Sequence, residues 1–259
     1  MSRPGLIAVD IGNSAVKLGW YPPLESAAGF QAPLRLSLPT WVEQYPTANT
    51  PPDSLRERLP PEAVTWRISS VHREGAQRLQ RWMETHRAGD TVQLLTYRDL
   101  PIELQVDYPE RVGLDRLAAA VAANALRNPS HAAIVVTSGT AVTVNLVTRQ
   151  GAFAGGAIMP GFRMQAEALF GADQLPLTAP ASDEAPSPLG KNTDQAIQSG
   201  LFWGTVGAVR ELIAQMSAGV DDPVDVFVTG GDVRRLAAAL GQNVRFVPNL
   251  VLVGIRCGW

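Results

Sequence analysis

Two segments of the chain share one pattern of apolar and polar positions. Residues 6–21 begin with an apolar run, stop at Asp10, turn through residues 12–14, and resume with apolar side chains at every second position. This alternation is typical of a strand, so the segment predicts a β-hairpin with a carboxylate at its bend. Residues 134–147 repeat the plan, with a small polar bend at residues 138–140.

The two predicted hairpins are separated by nearly half the chain. Aligning Gly12 with Gly139 places Asp10 at the position of Thr137 and superimposes the apolar residues of the two first strands. Hairpins that each open one half of a chain suggest duplicated domains whose bends face each other across a cleft, where ligands commonly bind. The same likeness would also arise by chance between any two strand–turn–strand units that contain glycine.

The remaining pattern predicts strands that alternate with helices, as in an α/β protein. Strands are expected at 64–71, 92–95, 151–158 and 224–228, of which the first and last read as buried, and helices at 73–87, 162–170, 193–216 and from Asp115 to just before Asn128. Thr193 lies where a helix N-cap would be. The proline-rich residues 22–61 predict short strands and connections, with a short helix near 54–58, and residues 174–190 predict a surface flap.

Composition limits the class of protein. At 259 residues and 46% hydrophobic content, the chain can bury a large core, either in two domains of about 130 residues or in one large domain. Its net charge of -2 and the lack of a lysine–arginine block argue against a nucleic acid or anionic lipid partner. The sequence shows neither a membrane span nor a signal peptide, so we expect a cytoplasmic protein. A single cysteine, Cys257, leaves a disulfide or zinc site unsupported.

Asp10 is the main candidate for a functional side chain. An acid at the end of a buried strand is costly unless its charge is compensated. The Gly–Asn–Ser turn that follows offers N–H groups, an amide and a hydroxyl to a ligand. A phosphate with its magnesium ion would meet both needs. Asp10 could equally accept hydrogen bonds from its own turn, as aspartates in turns often do.

Two further positions have both a structural and a functional interpretation. Asp115 starts the alanine-rich helix, where it could cap the helix and balance its macrodipole, or act as a general base with Arg116 pointing elsewhere. Gly230 and Gly231 follow a buried strand, where they could let an adenine or ribose lie against the backbone or form a tight strand-to-helix turn. The residues alone favour the turn.

Seven short motifs, taken in order and with their spacing, resemble those of the type III pantothenate kinases. The similarity covers nearly the whole chain. The motifs are DIGNS at 10–14, Tyr108-Pro109 ahead of GLDR at 113–116, SGTA at 138–141, GGAIMPG at 155–161, GKNT at 190–193, TGGD at 229–232 and the closing NLVLVGI.

This resemblance implies the fold of the acetate and sugar kinase, Hsp70 and actin superfamily. In that fold two duplicated ribonuclease-H-like domains with mixed sheets flanked by helices hold ATP between them, and we place the domains at 1–115 and 116–259. The family is normally a homodimer. The implied reaction is transfer of the γ-phosphoryl group of ATP to the 4′-hydroxyl of pantothenate, the first step of coenzyme A synthesis.

The resemblance also implies a role for each residue of a set. Asp115 would accept the proton of the hydroxyl group, and Asp10 would hold Mg²⁺ through water. Contacts to ATP would come from Asp10, Gly12, Asn13, Ser14 and Lys17, and from Thr140, Gly230 and Gly231 in the second domain. Pantothenate would be held by Tyr108, Gly113, Arg116, and Thr193 of the partner subunit.

The chain departs from the family pattern at two positions. Thr137 stands where the family commonly has an aspartate associated with a monovalent cation, and Asn145 replaces another acid. We therefore expect activation by K⁺ or NH₄⁺ to be weak or absent. The alternative function is that of a non-catalytic relative that binds nucleotide or pantothenate as a regulator. Another kinase of the same fold, acting on a sugar or an acid, is disfavoured by residues 108–116.

Overall fold

The computed structural model describes residues 4–23, 38–170, 184–231 and 233–259, and it divides into two compact units. The first unit comprises Met1–Ile102, Asp107–Leu126 and Asn249–Trp259, and the second comprises Glu103–Val106 and Arg127–Pro248. Most of the predicted flap, residues 174–183, lies outside the described residues, as does Asp232 of the TGGD motif.

The described residues form eleven strands and seven α-helices. The strands are β1 (Leu6–Ile11), β2 (Ala15–Tyr21), β3 (Trp41–Pro46), β4 (Thr65–Ser70), β5 (Thr91–Leu94), β6 (Glu103–Leu104), β7 (Ala132–Ser138), β8 (Ala141–Val147), β9 (Ala152–Pro160), β10 (Val224–Gly230) and β11 (Val244–Phe246). The helices are α1 (Asp53–Arg58), α2 (Arg73–His86), α3 (Leu114–Leu126), α4 (Phe162–Phe170), α5 (Thr193–Ala218), α6 (Val233–Leu240) and α7 (Leu250–Cys257).

The sheet of the first unit has the strand order β3-β2-β1-β4-β5. Strand β1 lies at its centre, antiparallel to β2 and parallel to β4. The apolar residues of β1 are buried on both of its faces. This explains why the run before Asp10 is continuous rather than alternating, since a central strand covered on both faces has no solvent side. The predicted first hairpin is confirmed.

The sheet of the second unit has the order β11-β10-β7-β8-β9-β6. Its central strand β7 is likewise antiparallel to its hairpin partner β8 and parallel to a later strand, β10. Apart from the added edge strand β6, the order and strand directions match those of the first sheet position by position. The prediction of two duplicated ribonuclease-H-like domains is confirmed. The bends of the two hairpins differ in length: three residues lie between β1 and β2, and two lie between β7 and β8.

The compact units divide the chain differently from the expected boundary at residues 115 and 116. The alanine-rich helix α3 and the closing helix α7 both belong to the first unit. They approach so closely that a Cβ atom on Gly254 would lie 1.7 Å from the carbonyl oxygen of Ala118. The buried face of α3 therefore packs against a segment more than one hundred residues away, which a linear division of the sequence cannot show.

One helix cap also differs from its prediction. Thr193 is the first residue of α5, and the N-cap is Asn192, whose Oδ1 accepts a hydrogen bond from the N–H of Gln195 at 2.9 Å. Asn192 has an extended backbone, as an N-cap requires, and asparagine caps helices as well as threonine does. The prediction that Thr193 is the cap is therefore wrong by one residue.

Candidate active site

Asp10 is the penultimate residue of β1, and one oxygen of its carboxylate is buried. Its Oδ1 is enclosed and has no hydrogen-bond partner in the part of the chain that the structure describes. Burial, and secondly the nearby charge of Asp115, raise the pKa of Asp10 from 3.8 to about 7, while Lys17 acts in the opposite direction. Lys17 is the residue opposite Asp10 in the hairpin register. The turn therefore leaves Oδ1 uncompensated, and a cation or a donor would fit there.

Thr47 stabilises the bend that follows Asp10 through two hydrogen bonds. The Thr47 hydroxyl donates to the carbonyl of Gly12 at 2.8 Å, and its N–H donates to the carbonyl of Ser14 at 3.1 Å. The guanidinium of Arg78 in turn donates to the carbonyl of Thr47 at 2.7 and 3.2 Å. These contacts fix the shape of the turn at residues 12–14, in which Asn13 is exposed. Sequence reasoning missed Thr47 and Arg78, because nothing local marks them.

Asp115 is the second residue of α3, and its carboxylate folds back over Gly113. A Cβ atom on Gly113 would lie 2.5 Å from Oδ1 of Asp115, so only glycine leaves room for this conformation. The carbonyl of Gly113 accepts the N–H groups of Arg116 and Leu117 at 3.1 and 3.2 Å, so the cap position belongs to Gly113 and Asp115 is not the N-cap. The structure thus brings Asp10 and Asp115 within electrostatic range of each other.

Three of the predicted pantothenate residues, Tyr108, Gly113 and Arg116, belong to the same unit as this pair. Tyr108 is 58% exposed and precedes the short 3-10 turn Pro109–Arg111. The guanidinium of Arg111 lies 4.7 Å from the centre of the Tyr108 ring, a cation–π contact that sequence reasoning missed. Arg116 is half-buried; burial lowers its pKa, and the neighbouring Asp115 opposes that shift. The segment therefore combines a phenol with two cations.

In the second unit, the bend at Gly139 and Thr140 is packed against two other glycine turns. A Cβ atom on Gly161 would lie 2.2 Å from the carbonyl oxygen of Gly139 and 2.5 Å from that of Thr140. Gly230 has a φ of +129°, which favours glycine, and a Cβ there would lie 1.9 Å from the Ser138 carbonyl oxygen. The three turns therefore form one tight cluster of backbone groups.

Two details of this cluster bear on its chemistry. The N–H of Gly231 donates to the carbonyl of Ser138 at 3.1 Å, which agrees with the interpretation of Gly230 and Gly231 as a tight strand-to-helix turn. The Ser138 hydroxyl is buried and has no hydrogen-bond partner among the residues described. Sequence reasoning missed Ser138, although it lies inside the SGTA motif. A buried hydroxyl beside a turn that also carries the Thr140 hydroxyl suits an oxyanion ligand.

Thr137, the counterpart of Asp10, lies in a neutral hydrogen-bond chain. Its Oγ1 is 2.5 Å from Oγ1 of Thr143, which also accepts a hydrogen bond from Nδ2 of Asn145 at 2.9 Å. Neither Thr137 nor Asn145 contributes a negative charge. Thr193, also in the second unit, is exposed at the start of α5.

No group of three or more histidine, cysteine, aspartate or glutamate side chains within the described ranges is arranged to hold a metal ion. A magnesium ion at Asp10 would therefore depend on water and phosphate oxygens for the rest of its coordination, as magnesium commonly does with nucleotides. The unpartnered Oδ1 of Asp10 fits that role. No helix in the described part of the chain is long and apolar enough to cross a membrane.

Comparison with solved structures shows the class of fold. The chain superimposes with a TM-score of 0.58 on a conserved Campylobacter jejuni protein assigned to the Baf family of transcriptional activators, at 16% identity over 97% of this chain and 96% of that one. A Sinorhizobium meliloti protein assigned as a 2-dehydro-3-deoxygalactonokinase gives a TM-score of 0.50 at 16% identity, over 98% and 97% of the two chains. Together with the two matching sheets, these likenesses show a fold of two duplicated ribonuclease-H-like domains.

Sequence comparison then identifies the family. The model of the type III pantothenate kinase family matches residues 6–215. The type III pantothenate kinase of Alkalilimnicola ehrlichii is 32% identical over 255 residues, which cover 97% of this chain and 96% of that protein. The chain belongs to the type III pantothenate kinase family.

Proposed function

We propose that the protein phosphorylates pantothenate, transferring the γ-phosphoryl group of ATP to its 4′-hydroxyl in the first step of coenzyme A synthesis. The observation that carries this proposal is the pairing of Asp10 and Asp115 in one unit. One buried carboxylate has an oxygen without a hydrogen-bond partner among the described residues, and a second carboxylate at the start of a helix lies within electrostatic range of it. Phosphoryl transfer needs positioning and neutralisation of charge more than covalent chemistry.

Asp10 is the residue proposed to hold magnesium, through water. When bound, the metal neutralises charge that develops on the phosphate oxygens. Lys17, opposite Asp10 in the hairpin, adds a second cation, and Gly12, Asn13 and Ser14 supply the turn that contacts phosphate. Thr47 and Arg78 hold that turn in shape without contacting the nucleotide.

Asp115 is proposed as the general base that accepts the proton of the pantothenate hydroxyl. A correctly placed base contributes a rate factor of about 10² to 10⁴. The missing Cβ of Gly113 leaves room for the conformation in which the Asp115 carboxylate folds back over the start of α3. Arg116 and Tyr108 are proposed to bind the carboxylate and polar groups of pantothenate.

The second unit is proposed to contribute Thr140 as a phosphate ligand, and Gly230 and Gly231 as backbone against which the adenosine lies. Thr193 would reach pantothenate from the partner subunit of a homodimer, which is consistent with its exposure at the start of α5. We also propose a cytoplasmic location. Weak or absent dependence on K⁺ or NH₄⁺ follows from the neutral chain at Thr137.

The experiment is an ATP-coupled assay with pantothenate that compares the wild type with Asp115→Asn. The substitution keeps the shape of the side chain and removes the base, so kcat should fall by about 10²-fold or more. Asp53→Asn is the matched control, since Asp53 is also an acid in the first turn of a helix, α1, and is exposed. Its activity should equal that of the wild type.

Two results would overturn parts of this proposal. Full activity of Asp115→Asn would remove Asp115 as the base. A wild type that binds ATP or pantothenate in calorimetry and shows no pantothenate-dependent turnover would instead support the non-catalytic alternative.

A further inference from the structure

Ser69, near the end of β4, is another buried polar side chain without a partner among the described residues. It is completely inaccessible to solvent, and its hydroxyl has no hydrogen-bond partner in the described part of the chain. The next residue, Ser70, shows how a serine here can be satisfied locally. Its hydroxyl accepts the N–H of His72 and lies 3.1 Å from the carbonyl of His72. The isolation of Ser69 is therefore specific to that position.

The register of the sheet places Ser69 beside Asp10. Strands β1 and β4 are parallel, and Asp10 pairs with Ser69. Paired residues on neighbouring strands project from the same face of a sheet, and the carboxyl ends of parallel strands are where α/β proteins bind ligands. Two adjacent buried polar atoms, Oδ1 of Asp10 and Oγ of Ser69, are thus both unsatisfied, which is rare unless a ligand or water supplies the missing hydrogen bonds.

The chemistry of the two atoms restricts what could satisfy both. An ionised carboxylate only accepts hydrogen bonds, and a hydroxyl can accept as well as donate. Neighbouring strands lie about 4.8 Å apart. A single water molecule donating two hydrogen bonds of about 2.8 Å reaches acceptors about 4.5 Å apart. A single water molecule that donates to both atoms is therefore compatible with the strand spacing and with the polarity of the pair.

The second unit offers a comparison within the same chain. The pair equivalent to Asp10 and Ser69 is Thr137 and Thr229, which are also matched in a parallel register. Thr137 is already hydrogen-bonded to Thr143. The equivalent position in the second unit therefore has its own internal partner, and the unsatisfied pair is a property of the first unit alone among the described residues.

We propose that Ser69 is a positioning residue for the divalent cation: its hydroxyl accepts a hydrogen bond from a water ligand of the magnesium ion that also donates to Asp10. This inference rests on the proposed role of Asp10 in holding that ion. Ser69 orients the water and thereby the ion, and it touches neither the nucleotide nor pantothenate. In the ligand-free protein the buried hydroxyl of Ser69 has no hydrogen bond within the described residues, which costs free energy. Binding of the hydrated ion supplies that hydrogen bond.

The test compares Ser69→Ala with Ser70→Ala as the matched control on the same strand. Titration calorimetry measures the Mg²⁺ concentration that half-saturates binding of a non-hydrolysable ATP analogue. Ser69→Ala should raise that concentration by about tenfold, equivalent to about 1.4 kcal/mol, and Ser70→Ala should leave it unchanged. Ser69→Cys, which keeps the side-chain volume with a weaker acceptor, should shift it in the same direction.

Unfolding of the ligand-free protein separates this role from a structural one. Removal of an unsatisfied buried hydroxyl should leave the melting temperature of Ser69→Ala at or above that of the wild type, whereas Ser70→Ala loses its local hydrogen bonds and should melt lower. An unchanged Mg²⁺ requirement in Ser69→Ala and Ser69→Cys overturns the inference about Ser69. If Asp10→Asn also leaves the Mg²⁺ requirement unchanged, the proposed role of Asp10 fails first, and the two failures are thus distinguished.

Discussion

Replacing Asp10 with asparagine should make the ligand-free protein more stable at alkaline pH while abolishing its kinase activity. Burial, reinforced by Asp115, raises the pKa of Asp10 from 3.8 to about 7. At about 1.4 kcal/mol for each pH unit, the difference amounts to about 4 kcal/mol of folding free energy. Asparagine has the shape of the neutral acid and never ionises, so the variant should recover most of that energy.

The sign of the pH dependence follows from the raised pKa. Below pH 3.8 the carboxyl is neutral in both the folded and the unfolded chain, so Asp10 causes no loss of stability. Between pH 3.8 and about 7 the unfolded chain ionises while the folded protein retains the proton, and the wild type loses stability as the pH rises. Above that range the loss is complete and constant. The advantage of Asp10→Asn should therefore be about 1.7 kcal/mol at pH 5 and reach its full value of about 4 kcal/mol at pH 8.

Urea denaturation at pH 5 and pH 8, in the presence of a chelator to remove divalent ions, measures the two free energies of unfolding. Asp99→Asn provides a control of opposite sign, because hydrogen bonds from the side chain and backbone of Thr96 lower the pKa of Asp99. That variant should be less stable than the wild type at pH 8. The reasoning about burial would be refuted if Asp10→Asn were less stable than the wild type at pH 8. It would also be refuted if the substitution changed the free energy of unfolding by the same amount at both pH values.

Two other substitutions test neighbouring parts of the structure. Thr137→Asp should create a K⁺ dependence that the wild type lacks, because it places a carboxylate beside the hydroxyl of Thr143. The rate of the variant should rise when K⁺ replaces Na⁺, and a marked rise in the wild-type rate in the same exchange would contradict the premise. Arg67→Met should lower the free energy of unfolding by about 2–4 kcal/mol in urea, because the buried guanidinium donates to the carbonyls of Ile255 and Asp99 at 2.7 and 3.2 Å. A loss below about 1 kcal/mol would show that those carbonyls find other donors.

The parts of the fold that depend on local sequence can be predicted from it. Both hairpins follow from apolar strands interrupted by a short polar bend, and the helices from periodic apolar positions. Asp10 and Asp115 can be recognised as candidates because each is an acid at the end of a regular element. Their proximity follows from the resemblance to a known family, and the structure places both in one unit.

The parts that depend on distant contacts cannot be predicted in the same way. Thr47 supports the first bend from 35 residues away, and Arg67 reaches the carbonyl of Ile255 across 188 residues. Helix α7 joins the first unit because Gly254 lets it approach Ala118, a contact with no local signal. Ser69 is one of two adjacent serines, and only the strand register distinguishes the unsatisfied hydroxyl from the locally bonded one.

Comparing the two matching sheets distinguishes the properties that the fold determines from those that individual side chains determine. Asp10 and Thr137 occupy equivalent positions on equivalent central strands, each paired with a residue of a parallel neighbour. In the second unit the side chain is neutral and hydrogen-bonded to Thr143, so it needs no ligand. In the first unit a carboxylate oxygen and the Ser69 hydroxyl are both buried and unsatisfied. Since the two sheets share their strand order apart from β6, we expect any difference in cation binding between the two units to come from these side chains, and exchanging them should exchange the behaviour.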